Sequence, residues 1–462
     1  MQCMQAAIRI QLEEIAKAQP QKKVAMIVFN NEVTWLGDGT GTSLVVAGEK
    51  LQQWDTLVQL GQHCDVSNLL PVEKSKEKLT QKLMQLEEGG ATALGPALLL
   101  AVAIAGQVPH SEVIVATDGL SNVGLGALDI GERKNSARFY SQRLVAFAKQ
   151  RNNTTVSVIG LQGEECGLSA LAPLAQQTAG DVTIVRPLEL QRRMRMIIDN
   201  PIVAVDVRYC LRLPKELILR HSVNSGSVEM SNNTNAHPEE TKDKKKNSHN
   251  NKKDTSQGNG NFIEVGNVNG LSTITFEFGP SEKGLEMLQQ TIHDNQKTNN
   301  LPKQTLPIQI EIEYTRLTGQ KCARVITSHR PITRSRSKSE RNADVAVLSV
   351  HALHQAANFA LTSDEYLAAR QYLVTYQQLL DRAAQTDVQQ EEYDIFLKLS
   401  EELDRELSQL MKTAKKRTTL SDTATKILYE MRSLPKQQCL AGVRKDISNR
   451  KKHIGEIKRL LS

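Results

Sequence analysis

From about residue 20 to 190, short apolar runs rich in Val and Ile alternate with longer segments whose apolar residues recur every three or four positions. The runs at 24–29, 32–37, 113–117, 156–161 and 181–187 predict strands. The segments at 76–88, 95–106, 136–150 and 168–178 predict helices, with Gly89 and Gly90 breaking the chain between the first two. Asn30 and Asn31 separate the first two strands and predict a tight hairpin turn, because Asn tolerates positive φ. Continuous β-branched runs between amphipathic helices imply a parallel sheet covered on both faces, so the first part reads as a doubly wound α/β domain.

After residue 195 the period changes to two. The segments 203–213, 271–279, 308–314 and 323–328 alternate, most cleanly where Ile308, Ile310, Ile312 and Tyr314 interleave with Gln309, Glu311 and Glu313. That pattern predicts half-buried antiparallel strands in a β-sandwich spanning 196–333. Residues 222–261 are Asn, Ser, Lys, Asp and Gly with almost no apolar side chains, and read as a disordered insertion in a sandwich loop. A basic linker is expected at 334–341 and an α-helical region at 342–462. Thr362 with Glu365, and Asp387 with Gln390, have the spacing of capping boxes and mark two helix starts. Tyr366, Ala369, Leu373, Tyr376 and Leu380 form one apolar stripe, and Phe396, Leu399, Leu403, Leu407 and Leu410 another, as bundle cores do.

Composition narrows the class. The chain has 462 residues, 39% hydrophobic, enough for two or three domains with buried cores. Its longest apolar stretch, 93–106, is too short to span a bilayer and contains Gly95 and Pro96. The first residues lack the features of a signal peptide, and the six cysteines show no CxxC spacing, so a cytoplasmic protein with reduced thiols is expected. The net charge of +7 is concentrated in the tracts 242–246, 334–341, 415–417 and 450–452. Such tracts read first as solvated surface; contact with a polyanion or an acidic surface is the alternative, and nucleic acid is not expected without interleaved aromatics.

Chemistry is sparse. His351 and His354 stand three apart on a helix and read as a surface pair with no third ligand. No GxSxG, HExxH, GxxxxGK[ST] or dinucleotide glycine motif occurs, so no enzyme is expected. In an open α/β sheet, ligands bind beyond the carboxyl ends of the strands. Asp118 directly follows the strand 113–117, and Thr92 lies in a loop on the same edge. Oxygen ligands of this kind suit a hard cation such as Mg2+, and a turn carboxylate without metal is the plainer alternative.

The stretches VIVATDGLSNVG, GGATALGPALLLAV and VAMIVFNNEV, in that relation, resemble the von Willebrand factor type A domain over about residues 1–195. In that family a metal-ion-dependent adhesion site is built from a DxSxS motif after the first strand, a Thr in a Gly-rich loop and the Asp of a TDG-like turn. The resemblance makes Thr92 and Asp118 metal ligands. No DxSxS occurs here, and the first helix resembles the one that follows it, so the domain is expected to lack its first strand and to bind Mg2+ weakly. A gap is expected between the hairpin of 24–37 and the strands from 113 onward. The order of parts is similar to that of the inner-coat subunits of COPII vesicles, and to proteins joining a circularly permuted Ras-like GTPase to a type A domain. The resemblance implies a protein-interaction module with an incomplete metal site; the competing expectation is a metal-independent, coat-like structural subunit.

Overall fold

The computed structural model describes residues 2–87, 89–128, 133–163, 165–222, 262–297, 305–333, 335–413, 419–436 and 440. In the first part, helix α1 (Gln2–Ala18) leads into a three-stranded antiparallel sheet of β1 (Met26–Phe29), β2 (Val33–Gly37) and β3 (Leu44–Val46). Helices α2 (Trp54–His63), α3 (Val72–Met84) and α4 (Leu94–Ala105) follow. Strand β4 (Glu112–Thr117) precedes α5 (Arg133–Arg138), a widened π turn at Phe139–Leu144 and α6 (Val145–Gln150), which together form the helix expected at 136–150. Then come β5 (Thr155–Leu161), α7 (Leu168–Gln177), β6 (Val182–Val185) and α8 (Leu190–Ile198), with β4, β5 and β6 paired in parallel.

The hairpin turn is made differently from the expectation. Asn30 and Asn31 do not adopt positive φ; the Asn30 side chain instead accepts the N–H of Glu32 at 3.0 Å, an Asx-type turn.

The helix α4 carries apolar residues on every side and is buried along nearly its whole length, as such a helix must be. It packs on both β1 and β4. On the opposite side α1 spans the same two elements: Ala7 joins the cluster holding Ile114, Ala116 and Ile159, while Leu12 and Ile15 pack with Val24 and Met26. Among the described residues, however, no ladder connects β1 with β4, and the two sheets are separate. The burial follows this break. Every residue of β5 is buried, whereas all four of β1 and four of the six of β4 are only partly so, although helices cover both faces.

The second part holds a four-stranded antiparallel sheet in the order β12-β11-β7-β9 and a two-stranded sheet of β8 and β10. The strands are β7 (Ile202–Arg212), β8 (Leu217–Ser222), β9 (Ile263–Asn269), β10 (Phe276–Pro280), β11 (Thr305–Arg316) and β12 (Lys321–Pro331), with helix α9 (Glu282–Lys297) between β10 and β11. Two expectations change. The strand read at 271–279 begins only at Phe276, because Asn269 and Ser272 close a turn through three side-chain hydrogen bonds. The alternation of β11 does not give one buried and one exposed face: Ile308 is buried, but the residues from Gln309 to Thr315 on both faces are half-buried. Apart from Ser222, the tract read as a disordered insertion lies outside the described residues.

The third part is a helical bundle of α10 (Arg336–Arg341), α11 (Val345–Thr362), α12 (Tyr366–Ala383), α13 (Asp387–Thr413) and α14 (Asp422–Arg432). Both predicted stripes lie in its core: Ala369, Leu373, Leu380, Phe396, Leu403 and Leu407 are buried and the others pack against them. The segment read as a linker contains α10, because the Ser335 side chain caps it and Glu340 pairs with both Arg336 and Arg382 of α12. Thr362 ends α11 rather than starting α12; its hydroxyl bonds back to Asn358 O. The second capping box sits one residue earlier than expected, with Thr386 and Gln389 bonding reciprocally. His351 and His354 are not a surface pair but are 5% and 1% exposed. No helix among the described residues is long and apolar enough to cross a membrane.

Candidate interaction site at the strand ends

Three loops converge at the carboxyl end of β4. The β1–β2 turn is tied to the loop before α4 by Ala93 N donating to Asn30 O at 2.7 Å. That loop is tied to the one after β4 through Asn122, whose side-chain oxygen accepts the N–H of Thr92 at 2.7 Å and whose N–H donates to Thr92 O at 3.0 Å. Thr117 Oγ1 donates to Gly119 O at 3.0 Å and tightens the turn carrying Asp118. Glycines permit this close approach. A Cβ on Gly95 would lie 1.8 Å from Leu125 O, and Gly124 combines a φ of +77° with contact to Pro96.

Thr92 and Asp118 are therefore brought to one surface. The position of a Cβ at Gly119, next to Asp118, is 3.4 Å from Thr92 Oγ1. Asp118 is exposed and Thr92 half-buried. The neighbouring polar side chains belong to the fold instead: Ser121 is fully buried and receives the Tyr140 hydroxyl at 3.1 Å, and Asn122 is engaged with Thr92. Burial pushes the Tyr140 phenol well above its ordinary pKa against the opposing bond to Ser121. The Asp118 carboxylate is left exposed, with the half-buried Thr92 beside its turn. Mg2+ takes a near-octahedral shell of oxygens, of which the Thr92 hydroxyl and the Asp118 carboxylate could supply a part. Among the described residues no group of three His, Cys, Asp or Glu side chains could hold a metal.

Two polar clusters escaped the sequence reading. At the joint with the bundle, Asp422 Oδ2 and Oδ1 accept the backbone N–H groups of Cys166 and Leu168 at 2.5 and 2.8 Å, capping α7 from another part of the chain. Further along α14, Glu430 accepts from Thr183 Oγ1 at 3.0 Å and Arg432 donates to Gln176 at 3.1 Å. Between β10 and the bundle, the Tyr372 hydroxyl lies 3.1 Å from Glu277, 3.2 Å from His351 Nε2 and 3.2 Å from Tyr376. His354 bonds Thr275 and the carbonyl of Leu434. Only the buried His pair carried a sequence signal, its spacing of three on an apolar helix.

No family model matches the chain. It is 30% identical over 456 residues to circularly permutated Ras protein 1 of Dictyostelium discoideum, an alignment covering 98% of this chain and 48% of that protein. The chain thus spans about half the length of the curated relative it matches. Among solved structures, the human COPII-coat protein Sec24c superposes with a TM-score of 0.59 at 14% identity, over 95% of this chain and 57% of that one. The ArnB paralog VWA2 from Sulfolobus acidocaldarius gives a TM-score of 0.38 at 10% identity, over 92% and 83%. The likeness to Sec24c is one of fold: a mixed α/β architecture with a parallel sheet and many helices.

Proposed function

We propose that the chain is a non-enzymatic, cytoplasmic protein-interaction module of the von Willebrand factor type A kind, presenting the carboxyl edge of its parallel sheet to a protein partner. The observation that carries this reading is the stitching of three loops around Asn30, Thr92 and Asn122 into one surface that bears the exposed Asp118 and the half-buried Thr92. Rigid presentation of a few polar groups lowers the ordering cost of binding. The lack, among the described residues, of a strand between β1 and β4, with α1 and α4 packing on both, supports the reading of an α/β domain without its first central strand. Thr92 and Asp118 would be the residues touching a Mg2+ ion, and with two oxygens its affinity is weak.

A second reading is a metal-independent structural subunit of a coat-like complex, favoured by the fold likeness to Sec24c along 95% of the chain. One experiment addresses both. Immobilised chain, parent or carrying Thr92→Arg with Asp118→Arg, is exposed to cell extract in Mg2+ or EDTA. The interaction reading expects the double variant to lose proteins that the parent captures, with its thermal melt unchanged. Identical capture by parent and variant overturns it in favour of the coat-like reading, and loss in EDTA alone assigns a part to the metal.

A further inference from the structure

Strand β12 stands at the edge of the four-stranded sheet, with β11 on one side and no strand on the other among the described residues. It is long and regular. Eleven residues, Lys321–Pro331, pair with β11 without a register shift, and nine of them are exposed. Val325 and Ile326 are 56% and 40% exposed. Its sequence, KCARVITSHRP, holds Lys321, Arg324 and Arg330 and no carboxylate.

The acidic residues of the neighbouring strand are already engaged. Glu311 and Glu313 of β11 face β7 and pair with Arg212 and Arg208 at 2.6 and 2.5 Å. Among the described residues no ion pair reaches Lys321, Arg324 or Arg330. The register also sets a face: Arg324, Ile326 and Arg330 lie opposite Ile312, Ile310 and Leu306, all three half-buried. An apolar strip is therefore left partly open, flanked on β12 by two cations.

We propose that β12 is a strand-addition edge for an extended acidic peptide. A free edge offers a row of backbone N–H and C=O groups to an incoming strand, and side chains on alternate positions select it. The partner carries an acidic residue opposite Arg324, an apolar one opposite Ile326 and a second acidic one opposite Arg330. Basic residues on an edge normally discourage pairing between copies. Here they repel a second β12 while favouring an acidic strand, which is how charge gives specificity. This surface is distinct from the strand ends bearing Thr92 and Asp118.

The test uses the full chain and a labelled synthetic peptide with valine two residues and glutamate six residues after its first glutamate, the remaining positions being threonine. Fluorescence anisotropy measures binding, and hydrogen exchange reads the amides of 321–331. Expected are saturable binding, protection of alternate β12 amides, and an affinity loss of about tenfold or more on Arg324→Glu with Arg330→Glu, whose circular dichroism matches the parent because both side chains are exposed. A peptide with proline at its centre should not bind. Equal binding of the proline peptide, binding without protection of β12, or capture of duplex DNA in place of the peptide overturns the proposal.

Discussion

Asp422 accepts the backbone N–H of Leu168 at 2.8 Å, so a carboxylate of the helical bundle caps a helix of the α/β part 254 positions away in sequence. The same side chain takes the N–H of Cys166, and α14 places Tyr429 against the α/β core while Ile427, Leu428 and Met431 fill the bundle core. One short helix thus belongs to two hydrophobic cores.

Asp422→Ala should destabilise the protein by about 1–2 kcal/mol, the usual cost of losing a helix cap together with a hydrogen bond to a charged acceptor. Thermal denaturation checks the size. Asp422→Asn, which keeps an acceptor oxygen, should recover part of the loss.

Gly95→Ala should cost about 1–3 kcal/mol as an overpacked contact, because its new methyl would meet Leu125 O. Urea denaturation measures this directly. Ala at Gly90, where nothing lies within 4 Å, is the matched control and should be nearly neutral.

A buried histidine and a half-buried glutamate give opposite pH trends. Desolvation lowers the His354 pKa from 6.5 to about 4, with the Leu434 carbonyl opposing and His351 and Arg432 adding to the shift. Its neutral form is the one folded, so this contribution is complete above pH 6.5 and is lost as pH falls through 4, by about 3 kcal/mol at most. Desolvation raises Glu112 from 4.5 to about 7, aided by Asp181 and opposed by Lys22 and Ser157. Its contribution is complete below pH 4.5 and is lost as pH rises through 7. Glu112→Gln should accordingly gain on the parent as pH rises from 4.5 to 8, by about 3 kcal/mol at most. Its acid-side decline, which belongs to His354, should persist. Stability curves of both proteins across this range make the comparison.

Asp118→Ala should change stability by less than about 0.5 kcal/mol, as expected of an exposed side chain without a structural bond. Isothermal titration of the parent with Mg2+ should show no saturable binding below roughly millimolar concentration. Tight binding abolished by this variant would mean that the two oxygens suffice after all.

The elements legible in sequence were those whose period was undisturbed: the parallel strands β4 to β6, the stripes of α12 and α13, and the wholly apolar α4. Less legible were β8 and β9, which flank the polar tract, and α9, whose early Gly284 weakens its periodicity although Ser281 caps it by accepting the Gly284 N–H at 2.9 Å. Thr92 and Asp118 could be placed on one edge because sheet topology brings strand ends together. Asn122, which holds their loops, could not, since an Asn in a turn has the same local pattern whether it faces solvent or a distant loop. The burial of His351 and His354 depended on β10 arriving beside α11 with Glu277 and Thr275, a long-range event no local pattern records.

The absence of a ladder between β1 and β4 among the described residues has a mechanical consequence. Hydrogen-bonded ladders fix neighbouring strands along their length, whereas side-chain packing alone permits small sliding of packed elements. Here the two sheets are aligned by α1, α4 and the bond from Ala93 to Asn30. Sliding of one sheet past the other would therefore meet no ladder between β1 and β4 among the described residues, and would displace Asn30 relative to Asp118 while each sheet stays intact.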